Sequence, residues 1–357
     1  MKLIPAVITL SMAAGCVGLD ATDATAPRVT DTQGQQITLS AGHASLQKWR
    51  LPAKPSHPAD NEPTELRIEL GKKLFFDPRL SGDGNMSCGS CHNPLFGWSD
   101  GLPTARGSKS VVLERASPTI VNTAFNSLQM WDGRKKTLEE QAMGPMEASV
   151  EMNMDTQKLF RWLNGHEGYR ALFQQAYPGK PIDSDTVSKA IASFERTVVS
   201  GAAPFDQWVA GKRDAMTPDQ IKGFALFIDP AKGNCAACHE GPNFTDNSFH
   251  NLGLASFGKP TPDMGRYAQR PVASLKGAFK TPTVREAANT APYFHDGSAG
   301  TLDDVMAFYV KGGEVKTNLS KSMKALTLSK QESAQIVSFM QALSTPPAPF
   351  AMPALPR

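Results

Sequence analysis

The chain has 357 residues, of which 40% are hydrophobic, 20% charged and 8% aromatic, with a formal charge of +3. This is a globular composition, neither disordered nor fibrous, and so small a charge gives no support to a nucleic-acid electrostatic footprint. The length allows two or three domains, and five cysteines are too few for a disulfide scaffold of this size.

The first fifteen residues, Met1-Lys2 followed by an apolar run and the small residues Ala13, Ala14 and Gly15, have the layout of an export signal. Small residues directly before Cys16 resemble a bacterial lipoprotein processing site. An ordinary secretory cleavage near Ala21 is the alternative. Either reading predicts the periplasm, with membrane attachment only through a lipid on Cys16, since no other stretch approaches the length of a span. Residues 16–62 read as a linker or an extended wrap, and His43, His57 and Trp49 there as surface or packing residues.

Leu66, Leu70, Leu74 and Phe75 then fall on one helical face behind Thr64 as N-cap, and a Gly-rich turn leads to Cys88-Gly89-Ser90-Cys91-His92. The pattern returns. Thr217, Pro218 and Gln220 mark a helix start, Ile221, Phe224, Phe227 and Ile228 line it, and Cys235-Ala236-Ala237-Cys238-His239 follows a second turn. Two thiols at this spacing can each form a thioether to a haem vinyl group, and the histidine after them is then the proximal iron ligand. A zinc reading would need four converging ligands, and a thioredoxin-like reading a strand–helix context that is missing. Further helical stripes run through Leu159, Leu163, Leu172 and Phe173, through Val187, Ile191, Phe194 and Val198, and through Ile336, Phe339, Met340 and Leu343 behind Ser329 and Glu332. The predicted fold is mainly α: two cytochrome c-like haem domains related by internal duplication, at 63–200 and 201–343, with irregular loops and a Pro-rich tail at 344–357 that is extended or disordered.

From about Glu65 to Leu343 the chain resembles the bacterial dihaem cytochrome c peroxidase and MauG superfamily. Besides both haem motifs, the resemblance rests on Met130-Trp131-Asp132-Gly133-Arg134, Gln141-Ala142-Met143-Gly144-Pro145, Gly265-Arg266, Thr281-Pro282-Thr283-Val284-Arg285 and Ala291-Pro292-Tyr293-Phe294-His295-Asp296-Gly297. It implies a peroxidatic haem on Cys88, Cys91 and His92, and an electron-storing haem on Cys235, Cys238 and His239. Trp131 would lie between the haems. Gln141 and Glu151 would stand over the open face of the first iron, with Pro145 walling the pocket. Asn122, Thr290 and Pro292 match the positions around a calcium ion. Independently of the family, peroxide bound to ferric iron must lose a proton from one oxygen and deliver it to the departing one, which a partly desolvated carboxylate such as Glu151 could do. Gln141 could orient peroxide without adding charge.

Two departures set the expected subtype. Peroxidases of this group carry a histidine after Gly-Leu-Pro-Thr that caps the first iron at rest; here Ser108 takes its place, which predicts a vacant or water-bound iron. Fourteen residues after His295, where peroxidases carry a methionine ligand, stands Tyr309, as in MauG-like members, with Met306 as a rival. A phenolate stabilises oxidised iron where a thioether favours ferrous iron. His295 reads as a hydrogen-bonding anchor of the pocket loop, and His250 as a residue that could bond a haem propionate. The function implied is hydrogen peroxide-dependent oxidation of tryptophan in a periplasmic partner protein through a high-valent, bis-ferryl-like state, giving a quinone cofactor or kynurenine. Gly233 stands where quinone-forming members have a relay tryptophan, which leaves room for a copper-associated partner. The alternatives are a peroxidase drawing electrons from a small cytochrome or cupredoxin, and a non-catalytic electron-transfer or sensor module. The holoprotein is near neutral, so docking would rely on a local patch.

Overall fold

The computed structural model describes residues 25–357, so the expected signal peptide and Cys16 lie outside the described residues. Among the described residues the helices are α1 (Glu65–Phe75), α2 (Cys88–Cys91), α3 (Leu138–Glu147), α4 (Thr156–Gly165), α5 (Glu167–Ala176), α6 (Ser184–Glu195), α7 (Pro204–Val209), α8 (Pro218–Ile228), α9 (Leu302–Lys311) and α10 (Lys330–Ala342). The strands are short: β1 (Arg28–Thr30) pairs antiparallel with β2 (Gln36–Thr38), and β3 (Phe249–His250) with β4 (Phe279–Lys280). Long turns built on 3-10 segments make up much of the rest.

Two apolar cores organise the chain. Leu70, Leu74 and Phe75 of α1 pack with Leu159, Leu163, Phe173, Ile191 and Phe194 in the first. In the second, Phe224 and Phe227 of α8 pack with Phe205, Trp208, Ile336 and Phe339. The same crossing builds both. A Cβ on Gly71 would stand 1.8 Å from the Ala190 carbonyl oxygen, and one on Gly223 would stand 1.9 Å from that of Gln335. Only glycine lets α1 lie on α6, and α8 on α10, at this separation. Phe194 and Phe339 then close over the two glycines.

The caps read from sequence are present. The Thr64 side chain accepts from the Arg67 amide, and Thr217 with Gln220, Thr301 with Asp304 and Ser329 with Glu332 form capping boxes. The stripe from Leu159 to Phe173 is two helices rather than one. His166 ends α4 and caps α5, its ring accepting from the Tyr169 amide, because a histidine nitrogen can satisfy a first-turn N–H that the next helix leaves open.

The chain ends cross over. The amino-terminal arm lies on the second core, where Ile37, Leu46 and Trp49 are buried and Trp49 meets Phe224 edge-on at 5.1 Å. The last residues lie on the first: Phe350 packs on Phe76 and Trp98, Lys73 donates to the Ala354 carbonyl at 2.8 Å, and Arg79 to that of Pro356 at 3.0 Å. The tail, expected to be extended or disordered, is extended, and these contacts hold it in place.

Candidate functional site: two Cys-x-x-Cys-His cavities

Each motif is one tight turn at the end of a core helix. In α2 the His92 amide donates to the Cys88 carbonyl at 2.9 Å; in a 3-10 turn at Cys235–Ala237 the His239 amide donates to that of Cys235 at 2.8 Å. The turn brings both thiols and the imidazole of each motif into one cavity wall. The first cleft, about 1940 Å³ including its open mouth, is lined by Cys88, Cys91, His92, Gln141, Pro145 and Glu151. The second, about 1530 Å³, is more apolar and is lined by Cys235, Cys238, His239, Met306 and Tyr309. Trp131 lines both.

The donor groups suit a haem. His92 Nδ1 lies 3.2 Å from the Trp98 carbonyl and His239 Nδ1 lies 3.1 Å from that of Phe244, so each Nδ1–H is committed to backbone and Nε2 keeps its lone pair. Burial lowers both imidazole pKa values, favouring the neutral, ligating form. The four cysteines form no disulfide. Burial pushes the Cys91 thiol up to about 11 and Cys235 up to about 12, and raises Cys88 as well, an environment that prefers an uncharged sulfur such as a thioether.

Two buried polar groups escaped the sequence reading and also fit a cofactor. Glu195 is 3% exposed on the wall of the first cavity, its Oε2 without a partner, and burial pushes its carboxyl up to about 8. Lys280, 8% exposed in the second cavity, donates among the described residues to the Thr281 carbonyl alone, and burial lowers its ammonium to about 8 against the opposing pull of Asp246. A haem edge carrying propionates would give that buried cation a closer counter-charge. Glu195 was legible in principle, since it follows Ile191 by one helical turn on the face already read as core.

Over the first cavity, neither the Gln141 amide nor the Glu151 carboxylate has a hydrogen-bond partner among the described residues. Burial raises the Glu151 pKa against the opposing pull of Arg134. Pro145 sits inside α3, where its missing N–H leaves the Gln141 carbonyl without its helical bond. Ser108 does not line the cavity; its hydroxyl donates to Asp83.

In the second cavity Tyr309 stands on α9 with no hydrogen-bond partner for its hydroxyl among the described residues, and burial followed by the neighbouring Cys238 and Cys235 thiols raises its pKa. α9 and α3 share a frame. Tyr293↔Ala299 and Gln129↔Lys135 form matching bridges, Phe294 and Gly297 match Met130 and Gly133 in positive φ, and Thr301 and Thr137 cap the two helices. Counted from each cap, Tyr309 stands where Pro145 stands, and His295 where Trp131 stands.

Trp131 is held from both sides: its Nε1–H donates to the Ala116 carbonyl at 2.9 Å, and its own carbonyl accepts from the Lys280 amide at 2.8 Å. The expectation for His295 needs correction. Its ring makes no hydrogen bond among the described residues. It stacks on Phe279 with centroids 3.5 Å apart and meets Trp131 edge-on at 6.4 Å, because burial, which lowers its pKa to about 4, favours aromatic contact of a neutral ring over a polar anchor. His250 is bonded to Asp246 at 2.7 Å and Ser320 at 2.8 Å. Asn122 exchanges two bonds with Ser200, and among the described residues no hydrogen bond joins it to Thr290 or Pro292.

A mainly helical fold with two such cavities defines a dihaem c-type oxidoreductase. Residues 65–214 match the family model described as di-haem cytochrome c peroxidase. The methylamine utilization protein MauG of Methylorubrum extorquens is 43% identical over 312 residues, 87% of each chain. The cytochrome-c peroxidase IdrP1 of Denitromonas iodatirespirans is 38% identical, covering 82% of this chain and 85% of its own. A solved MauG-like protein associated with microbial copper homeostasis superposes with a TM-score of 0.77 at 29% identity, over 83% of this chain and 95% of that one. The chain belongs to the dihaem cytochrome c peroxidase and MauG family, and is MauG-like within it.

Proposed function

We propose that this protein uses hydrogen peroxide to oxidise a tryptophan in a partner protein, in the periplasm and after export. The observation that carries the reading is Tyr309: a buried phenol without a hydrogen-bond partner, in the cavity of His239, at the place on its helix that Pro145 occupies over the first cavity. A proline side chain offers no ligand atom, and Ser108 is turned away to Asp83. One cavity would thus stay open to peroxide while the other is closed by a ligand that favours oxidised iron.

The two haems, held by Cys88, Cys91 and His92 and by Cys235, Cys238, His239 and Tyr309, supply the redox chemistry when bound. The chain's own residues do the rest. Glu151, its proton affinity raised by burial, takes a proton from one peroxide oxygen and returns it to the departing one. The Gln141 amide is free to orient peroxide without adding charge, and Pro145 keeps that wall apolar. Trp131 bridges the two cavities, and with Nε1–H tied to the Ala116 carbonyl the indole keeps its proton. A calcium ion at Asn122, Thr290 and Pro292 fits only loosely, since the Asn122 amide is already engaged with Ser200; no step depends on it. Lipidation at Cys16 and a copper-associated partner complete the proposal.

The test is to add stoichiometric peroxide to the diferric protein, follow optical and Mössbauer spectra, and repeat with periplasmic proteins of the same cell. Oxygen added to a partner tryptophan, found by mass spectrometry, is expected. Fast turnover with a reduced cytochrome and unmodified partners would refute the reading.

A further inference from the structure

Three loops meet behind Glu151. Gly82 donates its N–H to the Met152 carbonyl at 2.8 Å, and Ser108 donates its N–H to the Glu151 carbonyl at 2.7 Å. Asp83 accepts from the Ser108 hydroxyl at 2.5 Å, joining the first two loops to each other. The approach is close enough that side chains are excluded: a Cβ on Gly107 would lie 1.7 Å from the Val150 carbonyl oxygen, and one on Gly82 would lie 2.0 Å from that of Asn153. The segment is also tied back to α3, where the Glu151 amide donates to the Ala148 carbonyl and the Met152 amide to that of Pro145. The backbone of residues 150–153 is therefore fixed on every side, and only side-chain rotation is left to Glu151.

We propose that Asp83 and Ser108 are positioning residues for Glu151: with Gly82 and Gly107 they form a clasp that ties the loop before the first Cys-x-x-Cys-His turn to the loop after it and holds the Glu151 carboxylate at the cavity wall. The clasp deepens the reading of Glu151 as proton carrier and rests on it. Asp83 is exposed and Ser108 is 4% exposed, so a carboxylate at the rim fixes a hydroxyl in the interior. The hydroxyl fixes its own amide, and the amide fixes Glu151. Proton transfer depends steeply on such placement, because a displaced base meets its proton at the wrong distance. The titratable groups facing Glu151 are Arg134, which is charged, and the Cys91 sulfur, which carries no charge as a thioether. Release of the segment would let water reach the carboxylate and bring its pKa down towards the ordinary 4.5.

The experiment uses the diferric holoprotein and the variants Asp83→Ala, Asp83→Asn, Ser108→Ala and Glu151→Gln. Hydrogen exchange at the Ser108 and Gly82 amides is measured together with the rate of the peroxide reaction against pH. Asp83→Ala and Ser108→Ala are expected to exchange faster at both amides while α1 stays protected. Peroxide should react at least about tenfold more slowly, about 1.4 kcal/mol in barrier, with the pH midpoint moved down. Asp83→Asn, whose amide oxygen still accepts the Ser108 bond, should restore rate and midpoint. Wild-type rate and pH profile in both alanine variants, with Glu151→Gln slow, would overturn the clasp and leave the proton-carrier reading standing. Wild-type behaviour of Glu151→Gln would remove the reading beneath and the clasp with it.

Discussion

Replacing Tyr309 with Phe removes one oxygen and little else, which separates a ligand from a packing residue. The ring contacts with Phe294 at 6.3 Å and Phe308 at 5.7 Å survive the change. Because the hydroxyl has no hydrogen-bond partner among the described residues, deleting it breaks no bond within the protein. Burying an unpaired hydroxyl costs about 1–3 kcal/mol, so on packing grounds alone the variant should be neutral or more stable by about 1 kcal/mol. That would appear as a rise in Tm of about 2–4 °C for a cooperative unit of roughly 150–250 residues. If the phenolate instead holds the second haem iron, the variant loses an axial ligand. Its ferric optical and electron paramagnetic resonance spectra should change at one haem only, and Tm should fall rather than rise. Tyr309→Met should then raise the second haem's potential and shorten the life of the peroxide-oxidised state. An unchanged ferric spectrum in Tyr309→Phe, with Tm equal to or above wild type, would refute ligation and with it the main support for tryptophan oxidation.

Glu151→Gln keeps the shape of the side chain but carries no titrating proton, and should slow the reaction of the diferric protein with peroxide about 10²–10⁴-fold, measured by stopped flow. Because the deprotonated carboxylate is the base and burial raises its pKa, the wild-type rate should rise with pH through a midpoint above 4.5, and this limb should vanish in the variant. Gly223→Val drives side-chain atoms into the Gln335 carbonyl on α10 and should cost at least about 1–3 kcal/mol in urea denaturation. His295, depressed to about 4 in the folded protein against about 6.5 unfolded, contributes stability that is present above pH 6.5 and lost as pH falls through 4, at most about 3 kcal/mol; His295→Gln should flatten that part of the pH–stability curve. Pro145→Tyr places a phenol over the first cavity at the position Tyr309 holds over the second, and should convert the first haem to a six-coordinate form that reacts slowly with peroxide.

Much of this was legible because it is local. A Cys-x-x-Cys-His turn, a Thr-x-x-Gln cap and an apolar face on each core helix declare themselves within a dozen residues, and the structure forms each of them, although Leu66, at the start of the α1 face, lies half exposed. Trp131 and Gln141 were legible through the resemblance, which fixes chain order but not contacts. What escaped depends on distant segments meeting. Gly71 and Gly223 look like weak points in a helix until Ala190 and Gln335 lie across them. His295 reads as a polar anchor until Phe279 stacks against it. Asp83 and Ser108 are two ordinary loop residues until one accepts the hydroxyl of the other.

The asymmetry between the cavities is the step that links fold to function. A bridged turn, a Thr cap and a helix recur over both cavities with the same backbone, so the frame itself favours neither as the peroxide site. The choice falls to few side chains. At matching places the frame presents Trp131 and His295 to each other, and Pro145 and Tyr309 to their separate cavities. The proline ring has neither a donor nor a ligand atom, and its missing N–H leaves the Gln141 carbonyl unbonded, so the first cavity keeps room and polarity for a small oxidant. The phenol does the reverse, filling its cavity with a group that is costly to bury unless a metal takes its oxygen. Trp131 lines both cavities, is held by backbone bonds from both halves, and is the only large aromatic among the described residues that borders both. On the proposed function, an open first cavity without Trp131 would strand its oxidising equivalents there, and Trp131 without the contrast of Pro145 and Tyr309 would join two cavities of the same kind.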